Sequence, residues 1–134
     1  GELIVACDTS GSMGGIYPTV FGEIARIAEN VNPDGVRVIW WDSAVCGEQL
    51  FKPHEFNTIG SLLKPAGGGG TDPACVPKFM AKHNIKGECL LMLTDGYIGH
   101  QNPDDYSTLG MPLLWCVKGN TCFDSPVGKT VHVE

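Results

Sequence analysis

Side chains that end in oxygen cluster at three points of this sequence, and they are of the kind that a hard divalent cation binds. Residues 8–13 read Asp-Thr-Ser-Gly-Ser-Met, residues 71–72 are Thr-Asp after four glycines, and residues 94–96 are Thr-Asp-Gly. Magnesium and manganese prefer carboxylate and hydroxyl oxygens, whereas zinc and copper favour histidine and cysteine. The sequence therefore predicts a Mg²⁺ site, with Mn²⁺ or Ca²⁺ as the alternative ions.

The spacing of these residues allows their oxygen atoms to converge. Ser10 and Ser12 are two positions apart in a tight loop, so both hydroxyls can turn toward one point. Asp8 ends the preceding strand and can lie beneath that point. Magnesium takes near-octahedral oxygens and usually retains waters, so one coordination position can stay open to an external carboxylate. The predicted metal ligands are Asp8, Ser10, Ser12, Thr71 and Asp95.

Further residues are expected around these ligands, supporting them or lining the rim of the site. Asp42 ends the second predicted strand, where it is either a hydrogen-bond acceptor near the site or a simple turn carboxylate. Asp72 precedes a proline and is expected to cap a helix. Tyr97 and His100 follow Asp95 closely, and they either contact a partner or are solvated loop residues. The full surrounding set is Asp42, Asp72, Gly11, Gly70, Gly96, Tyr97 and His100.

The elements that must position these residues alternate between strands and helices. Strands are predicted over 3–7, 36–41, 45–51, 89–93, 112–117 and 129–133, and helices over 18–31, 54–63 and 73–84. The short link between the second and third strands permits only a hairpin, so that pair should be antiparallel. The pattern predicts an α/β fold: a doubly wound, mostly parallel six-stranded sheet with one antiparallel edge strand and helices on both faces. In such sheets ligands bind beyond the carboxyl ends of the strands, where the oxygen-bearing residues lie.

Length and composition predict one globular domain and exclude two classes of partner. The 134 residues suit a single domain over 1–134, and strand-like segments at both ends suggest trimming from a longer protein. The net charge of −6 argues against nucleic acid, because phosphates are bound mainly by Lys and Arg. No apolar run approaches the roughly 20 residues needed to cross a bilayer. The six cysteines include no C-x-x-C pair, so we expect reduced thiols in a cytoplasmic protein.

The three oxygen-bearing segments together resemble the metal-ion-dependent adhesion site (MIDAS) of von Willebrand factor A (VWA) domains. The resemblance rests on the D-x-S-x-S, Thr and Asp elements, which occur here in the same chain order. It implies that Ser10, Ser12 and Thr71 contact the metal, while Asp8 and Asp95 hold coordinating waters or bind the metal directly. It also implies a Rossmann-like fold and a protein-interaction module that grips a carboxylate of its partner.

A narrower resemblance is to the C-terminal VWA-like domain of predicted metallopeptidases from bacteria and phages. It is carried by Gly-Gly-Gly-Gly-Thr-Asp-Pro, Leu-Thr-Asp-Gly, Pro-Leu-Leu-Trp at 112–115 and Pro-Val-Gly at 126–128. In that family an upstream domain carries an H-E-x-x-H zinc motif, and MoxR-type AAA ATPases are frequent partners. No H-E-x-x-H occurs here, so we expect this domain not to be an enzyme. The expected partner offers an Asp or Glu carboxylate and is a MoxR-type ATPase or the upstream peptidase domain.

Three other functions compete with this interpretation. Residues 5–12 superficially resemble an aspartic protease signature, but Ser10 separates Thr9 from Gly11 and the helix patterns conflict with an all-β fold. Asp8 could serve as the nucleophile of a metal-dependent phosphatase, which would want another acid or a lysine beside it. A structural adaptor with no bound metal is the third alternative, because intact ligands show capacity rather than use.

Overall fold

The structure, a computed structural model, describes residues 1–9, 17–58 and 70–132, and a six-stranded mixed sheet runs through these ranges. The strands are β1 (Glu2–Asp8), β2 (Gly35–Trp41), β3 (Val45–Phe51), β4 (Cys89–Thr94), β5 (Leu113–Val117) and β6 (Lys129–His132). Their order in the sheet is β3-β2-β1-β4-β5-β6. Only the β2–β3 pair is antiparallel among these strands, because β3 follows β2 after a short turn. The predicted sheet is confirmed, and its parallel strands differ from the all-β fold of an aspartic protease.

Helices cover both faces of the sheet, as predicted. Helix α1 spans Tyr17–Val31 and α2 spans Cys75–Lys82, and two 3₁₀ helices lie at Pro53–Thr58 and Pro103–Tyr106. Ile24 and Ala28 of α1 are buried in the hydrophobic cluster on one face of the sheet. Val76 and Met80 of α2 belong to the cluster on the other face. No helix in the described ranges has both the length and the apolar character required to cross a membrane.

The central strands are buried on both faces because each face carries a helix layer. Every residue of β1 from 3 to 8 is buried, and successive side chains join opposite clusters. Trp40 packs in the cluster with α1 and Trp41 in the cluster with α2, as the strand alternation predicts. All six cysteines are free thiols, and Cys7 is a buried member of the α1-side cluster.

Two predicted helices require correction. The helix predicted over 54–63 is a 3₁₀ helix at Pro53–Thr58 in its described part, and 59–63 lie outside the described residues. The helix predicted over 73–84 begins later, at Cys75, and ends at Lys82. A start at Pro73 would place Pro77 fifth in the helix, where its missing N–H would break a bond to the carbonyl of residue 73. The observed start places Pro77 in the first turn, where no intrahelical N–H bond is required.

The predicted helix cap at Asp72 is also wrong, because α2 begins at Cys75 rather than at Pro73. The residue before α2 is Ala74, which has no side-chain capping bond. Asp72 instead accepts a hydrogen bond from the Ala74 N–H at its Oδ1 atom, 3.2 Å away, and its carbonyl accepts from the Cys75 N–H. This is the local turn that an aspartate two residues ahead of its donor commonly makes. Asp72 therefore shapes the loop that leads into α2.

The strand order reverses at β1, which fixes where a ligand crevice can form. The chain passes from β1 to β2 on one side and later returns to β4 on the other side. In doubly wound sheets this reversal opens a crevice beyond the carboxyl ends of the two diverging strands. Those ends are Asp8 of β1 and Thr94 of β4.

Candidate metal-binding site

A hydrogen bond between side chains joins the ends of β1 and β4. Asp8 is fully buried, and its Oδ2 accepts a hydrogen bond from the Thr94 Oγ1 at 2.8 Å. Because the hydroxyl gives its one proton to Asp8, its oxygen is left to accept from the Gly96 N–H at 3.2 Å. Thr94 thus ties the Asp8 carboxylate to the turn after β4. The sequence prediction did not include Thr94 among the site residues, although its place beside Asp95 at a strand end was a usable signal.

Asp95 is the residue whose bonding most favours a cation. Its side chain is buried, with 3% of the residue exposed. Oδ1 accepts a hydrogen bond from the Tyr97 N–H at 3.1 Å. Oδ2 is also buried, and it accepts no hydrogen bond from any residue that the structure describes. A buried carboxylate oxygen without a donor is costly, and a bound cation would satisfy it.

The loop that follows β5 packs against the turn that carries Asp95. The Asn120 N–H donates to the Asp95 carbonyl, and Asn120 Nδ2 donates to the Gly96 carbonyl, both at 3.0 Å. Gly96 has a φ of +85°, and a Cβ there would lie 2.8 Å from Val117 Cγ1. Glycine is therefore required at this position, both for the backbone conformation and for the close approach. The sequence prediction named Gly96 but missed Asn120.

The loop carrying Thr71 lies against the end of β2. The Asp72 N–H donates to the Asp42 carbonyl at 2.8 Å, and Asp42 directly follows β2. Gly70 is exposed, and a Cβ there would be 3.8 Å from the Cβ of Ser43. Thr71 is half-buried between Gly70 and Asp72. This arrangement brings the predicted Thr71 ligand to the strand that neighbours β1.

Thr9 connects the ends of β1 and β2, and Asp42 stabilises the turn that follows β2. Thr9 donates to the Trp41 carbonyl through both its N–H and its Oγ1, each at 2.9 Å. Asp42 Oδ1 accepts from the Ala44 N–H at 3.1 Å, a bond that holds the turn between β2 and β3. This bond supports the turn role, one of the two predicted alternatives for Asp42, while its role near the metal site stays a prediction.

The remaining predicted residues divide into an exposed rim and a loop outside the described ranges. Tyr97 is 68% exposed and His100 is exposed, both in the segment after Asp95. Ser10, Gly11 and Ser12 lie outside the described residues, so their predicted roles stay predictions. Within the described ranges, no group of three or more His, Cys, Asp or Glu side chains is placed to hold a metal. A cation here would therefore depend on hydroxyl ligands as well as carboxylates.

The cysteines near the site offer protonated thiols. Burial raises the pKa of Cys7, and the neighbouring charge of Asp8 raises it further. Burial also raises the pKa of Cys75 to about 12, with the charges of nearby Asp72, Cys46 and Asp42 adding to the effect. A thiol must lose its proton to bind a soft metal ion. In the metal-free protein these two thiols are therefore protonated at neutral pH.

Comparisons with known proteins agree with this fold. The model of a family described as VWA-like domain (DUF2201) matches residues 3–134. One similar crystal structure is an aerotolerance-related membrane protein from Bacteroides fragilis with multiple mutations to serine. Its TM-score is 0.65 at 17% identity, and the match covers 87% of this chain and 66% of that chain. No curated protein matches the chain.

A second similar structure is proximal thread matrix protein 1 from the mussel byssus. One crystal form gives a TM-score of 0.69 at 16% identity, covering 89% of this chain and 36% of that chain. A structure of the same protein with a zinc-occupied MIDAS motif gives 0.68 at 15% identity, covering 89% and 36%. The chain thus spans just under two thirds of the first protein and about a third of the second. At these identities the likeness supports the fold alone.

Proposed function

This chain belongs to the VWA-like domain family, and from that premise we propose that it is a metal-dependent protein-binding module. The proposal is that Mg²⁺, or Mn²⁺ or Ca²⁺, binds at the carboxyl ends of β1 and β4. The observation that carries it is the buried Asp95 Oδ2, which no described residue supplies with a hydrogen bond. The mussel protein, which holds zinc at its MIDAS motif, supports the idea that a related fold can bind a metal here. The proposed ligands are Asp8, Ser10, Ser12, Thr71 and Asp95.

The residues of this chain would prepare the site before any partner arrives. Thr94 holds the Asp8 carboxylate from one side, and the Tyr97 N–H holds one oxygen of Asp95. The carboxylates Asp8 and Asp95 are buried, so charge interactions at this position are less screened than on an open surface. A bound cation would supply positive charge and an open coordination position for an Asp or Glu carboxylate of the partner.

A single carboxylate contact gives orientation and metal dependence, so specificity must come from the residues around it. Tyr97 and His100 are exposed beside the Asp95 turn and are the proposed rim contacts. By its resemblance to the metallopeptidase-associated domains, the proposed partner is a MoxR-type AAA ATPase or an upstream peptidase domain. The module itself is proposed to be non-enzymatic and to work in the cytoplasm.

Isothermal titration calorimetry with Mg²⁺, Mn²⁺, Ca²⁺ and Zn²⁺ tests the metal site. We expect saturable binding with a dissociation constant of about 1 mM or lower in the parent protein, within the range of weaker biological cation sites. Asp8→Ala and Asp95→Ala should each abolish it. Asp104→Ala, which changes an exposed aspartate in the second 3₁₀ helix, is the matched control and should bind as the parent does. Equal heats in all four proteins would contradict the proposal and favour the metal-free structural adaptor.

Partner binding needs a separate test. The purified domain, immobilised, should capture a purified MoxR-type ATPase or upstream peptidase domain from the same host in the presence of Mg²⁺. Chelator should release the partner, and a high concentration of acetate should compete with it, because the proposed contact is a carboxylate on the cation. Capture that is unchanged by chelator would contradict metal-dependent binding even if the cation itself binds.

A further inference from the structure

The segment directly after β5 binds three successive carbonyls around Asp95. The Lys118 N–H donates to the Thr94 carbonyl at 3.1 Å. The Asn120 N–H donates to the Asp95 carbonyl, and Asn120 Nδ2 donates to the Gly96 carbonyl, both at 3.0 Å. Three successive peptide units are therefore tied to one neighbouring loop. None of them can rotate without breaking one of these bonds.

The orientation of the Asn120 side chain is itself fixed. Asn120 Oδ1 accepts a hydrogen bond from the Cys122 N–H at 3.1 Å, so the amide nitrogen is the atom that faces Gly96. Gly119 has a φ of +121°, and a Cβ there would lie 3.4 Å from the Asp95 carbonyl oxygen. The two loops are thus in close contact at Asp95. The hydrogen bond from Asn120 Nδ2 to the Gly96 carbonyl holds the two loops together at this contact.

We infer that Asn120 is a positioning residue for Asp95, and that through this carboxylate it gives the site its preference for Mg²⁺ over Ca²⁺. The inference rests on the proposed function, because it concerns the same cation site. Mg²⁺ demands near-ideal octahedral geometry at 2.0–2.1 Å, whereas Ca²⁺ accepts irregular geometry at 2.3–2.6 Å. A carboxylate held on a fixed turn suits the smaller ion. A carboxylate on a loosened turn can move outward and bind Ca²⁺, the larger ion, at its longer ligand distance.

The test compares Mg²⁺ and Ca²⁺ affinities in the parent protein and in Asn120→Ala. We expect the Mg²⁺ affinity to fall about tenfold, the lower end of the loss seen when residues supporting metal ligands are removed. The Ca²⁺ affinity should change by less than about threefold, because its geometry is more tolerant. The ratio of the two affinities is the decisive readout, since a general loosening of the fold would weaken both ions equally.

Two further variants separate the contribution of Asn120 from general effects. Asn120→Ser keeps an oxygen that can accept from the Cys122 N–H but removes the amide Nδ2 that donates to the Gly96 carbonyl. The serine hydroxyl is one bond shorter than this amide and replaces it poorly, so the variant should shift selectivity as Asn120→Ala does. Asn102→Ala is the matched control, because Asn102 Oδ1 also accepts a main-chain N–H, from Asp104 at 3.1 Å, in an exposed turn. It should leave both affinities unchanged.

The outcomes distinguish this inference from the proposed function. If the parent protein binds neither ion, the proposed function fails and the inference fails with it. If the parent binds Mg²⁺ but the Asn120 variants weaken both ions equally or not at all, only the inference is overturned. Circular dichroism of each metal-free variant checks folding. If neither Asn120 variant folds, Asn120 is a residue of the fold rather than of the site, which also overturns the inference.

Discussion

Acidic side chains occur at both ends of the parallel strands, and their hydrogen-bond partners differ between the two ends. At the amino end, Arg37 binds Glu2 through Nε at 2.9 Å and Glu48 through a terminal nitrogen at 2.7 Å. At the carboxyl end, a hydroxyl from Thr94 holds Asp8, and a main-chain N–H holds Asp95. The amino end therefore has an internal positive charge, the guanidinium of Arg37, that pairs with its carboxylates.

The difference supports the proposal that the carboxyl end, rather than the amino end, binds a cation. Glu2 and Glu48 are partly exposed, with 27% and 34% of their side chains accessible, so water shares in their solvation. Asp95 is buried, and none of the ion pairs within the described residues includes it. Buried charges in proteins are normally paired or bound to a metal ion, so Asp95, unpaired in the described ranges, favours a ligand at this end.

The largest effect is expected from the close packing of the turn after β4. Gly96→Ala should lower the free energy of unfolding by about 3 kcal/mol, since it combines an unfavourable φ with a clash against Val117. Gly99→Ala is the control, because Gly99 has a similar φ of +76° but nothing within 4 Å of a Cβ. It should lower the stability by about 1 kcal/mol. Similar losses in urea denaturation for the two variants would show that the turn is not tightly packed.

A slightly smaller effect is expected at Thr94. Thr94→Val preserves the shape but removes the hydrogen bond to Asp8 and leaves the Gly96 N–H without its acceptor. We expect a loss of about 2 kcal/mol in the free energy of unfolding, as for a buried hydrogen bond to a charged group. Thr130→Val, which removes an acceptor from the partly buried Ser125 N–H near the edge of the sheet, should lose less. Equal losses in the free energy of unfolding for the two variants, measured by chemical denaturation, would show that the bonds of Thr94 contribute no more than a bond near the sheet edge.

Alkaline pH should lower the free energy of unfolding through Cys7 at the carboxyl end of β1, but not through Arg37 at the amino end. Burial and the charge of Asp8 raise the pKa of Cys7, so the unfolded chain loses this proton at lower pH than the folded protein does. Stability is therefore complete below the ordinary thiol pKa and falls above it, by about 1.4 kcal/mol per pH unit for one such thiol. The hydrogen bond to Glu2 raises the pKa of Arg37, which stays charged.

Urea denaturation under reducing conditions at pH 7, 9 and 10 measures this slope. Cys7→Ala should show a shallower decline above pH 9 than the parent, whatever its stability at pH 7. The slope is the quantity to compare, because the substitution also removes buried volume. Identical slopes in the two proteins would mean that Cys7 does not contribute to the alkaline loss.

The smallest effect is expected at the amino end. Arg37→Met removes both ion pairs but keeps much of the apolar stem, and partly exposed pairs contribute about 1 kcal/mol or less. The difference in the free energy of unfolding between Arg37→Met and the parent should shrink in 1 M NaCl, because salt screens exposed charges. Binding of Mg²⁺ should be unchanged. A large loss in the free energy of unfolding that does not depend on salt would show that the amino end contributes as much to stability as the carboxyl end does.

The sequence was sufficient to predict the sheet because its signals are local. The buried run 3–7, the short link after Trp41 and the helical spacing before Val31 each depend on neighbouring residues, and the structure confirms all three. The start of α2 was missed because Pro73 and Pro77 compete for the first turn, and only the structure shows which one occupies it.

Residues that act from a distance in sequence were harder to predict. Thr94 reaches Asp8 only because β4 pairs with β1, and Asn120 reaches Asp95 only because β5 pairs with β4. Neither pairing register can be read from a single sequence, because the local pattern of each strand does not specify which residues of another strand lie beside it. The predicted positions at strand ends, by contrast, needed only the general rule for doubly wound sheets. Thus the location of the crevice was predictable, whereas the residues that brace it were not.

The bond between Thr94 and Asp8 joins residues 86 positions apart, and this has a consequence for how the protein is made. Contacts between distant parts of a chain form slowly, and a strand cannot pair with one that the ribosome has not yet released. In a growing chain β1 can therefore pair with β2, but it cannot pair with β4 until residues 89–94 have left the ribosome. A chain that ends before β4 lacks both Thr94 and Asp95, so it cannot form the crevice at the carboxyl ends of β1 and β4.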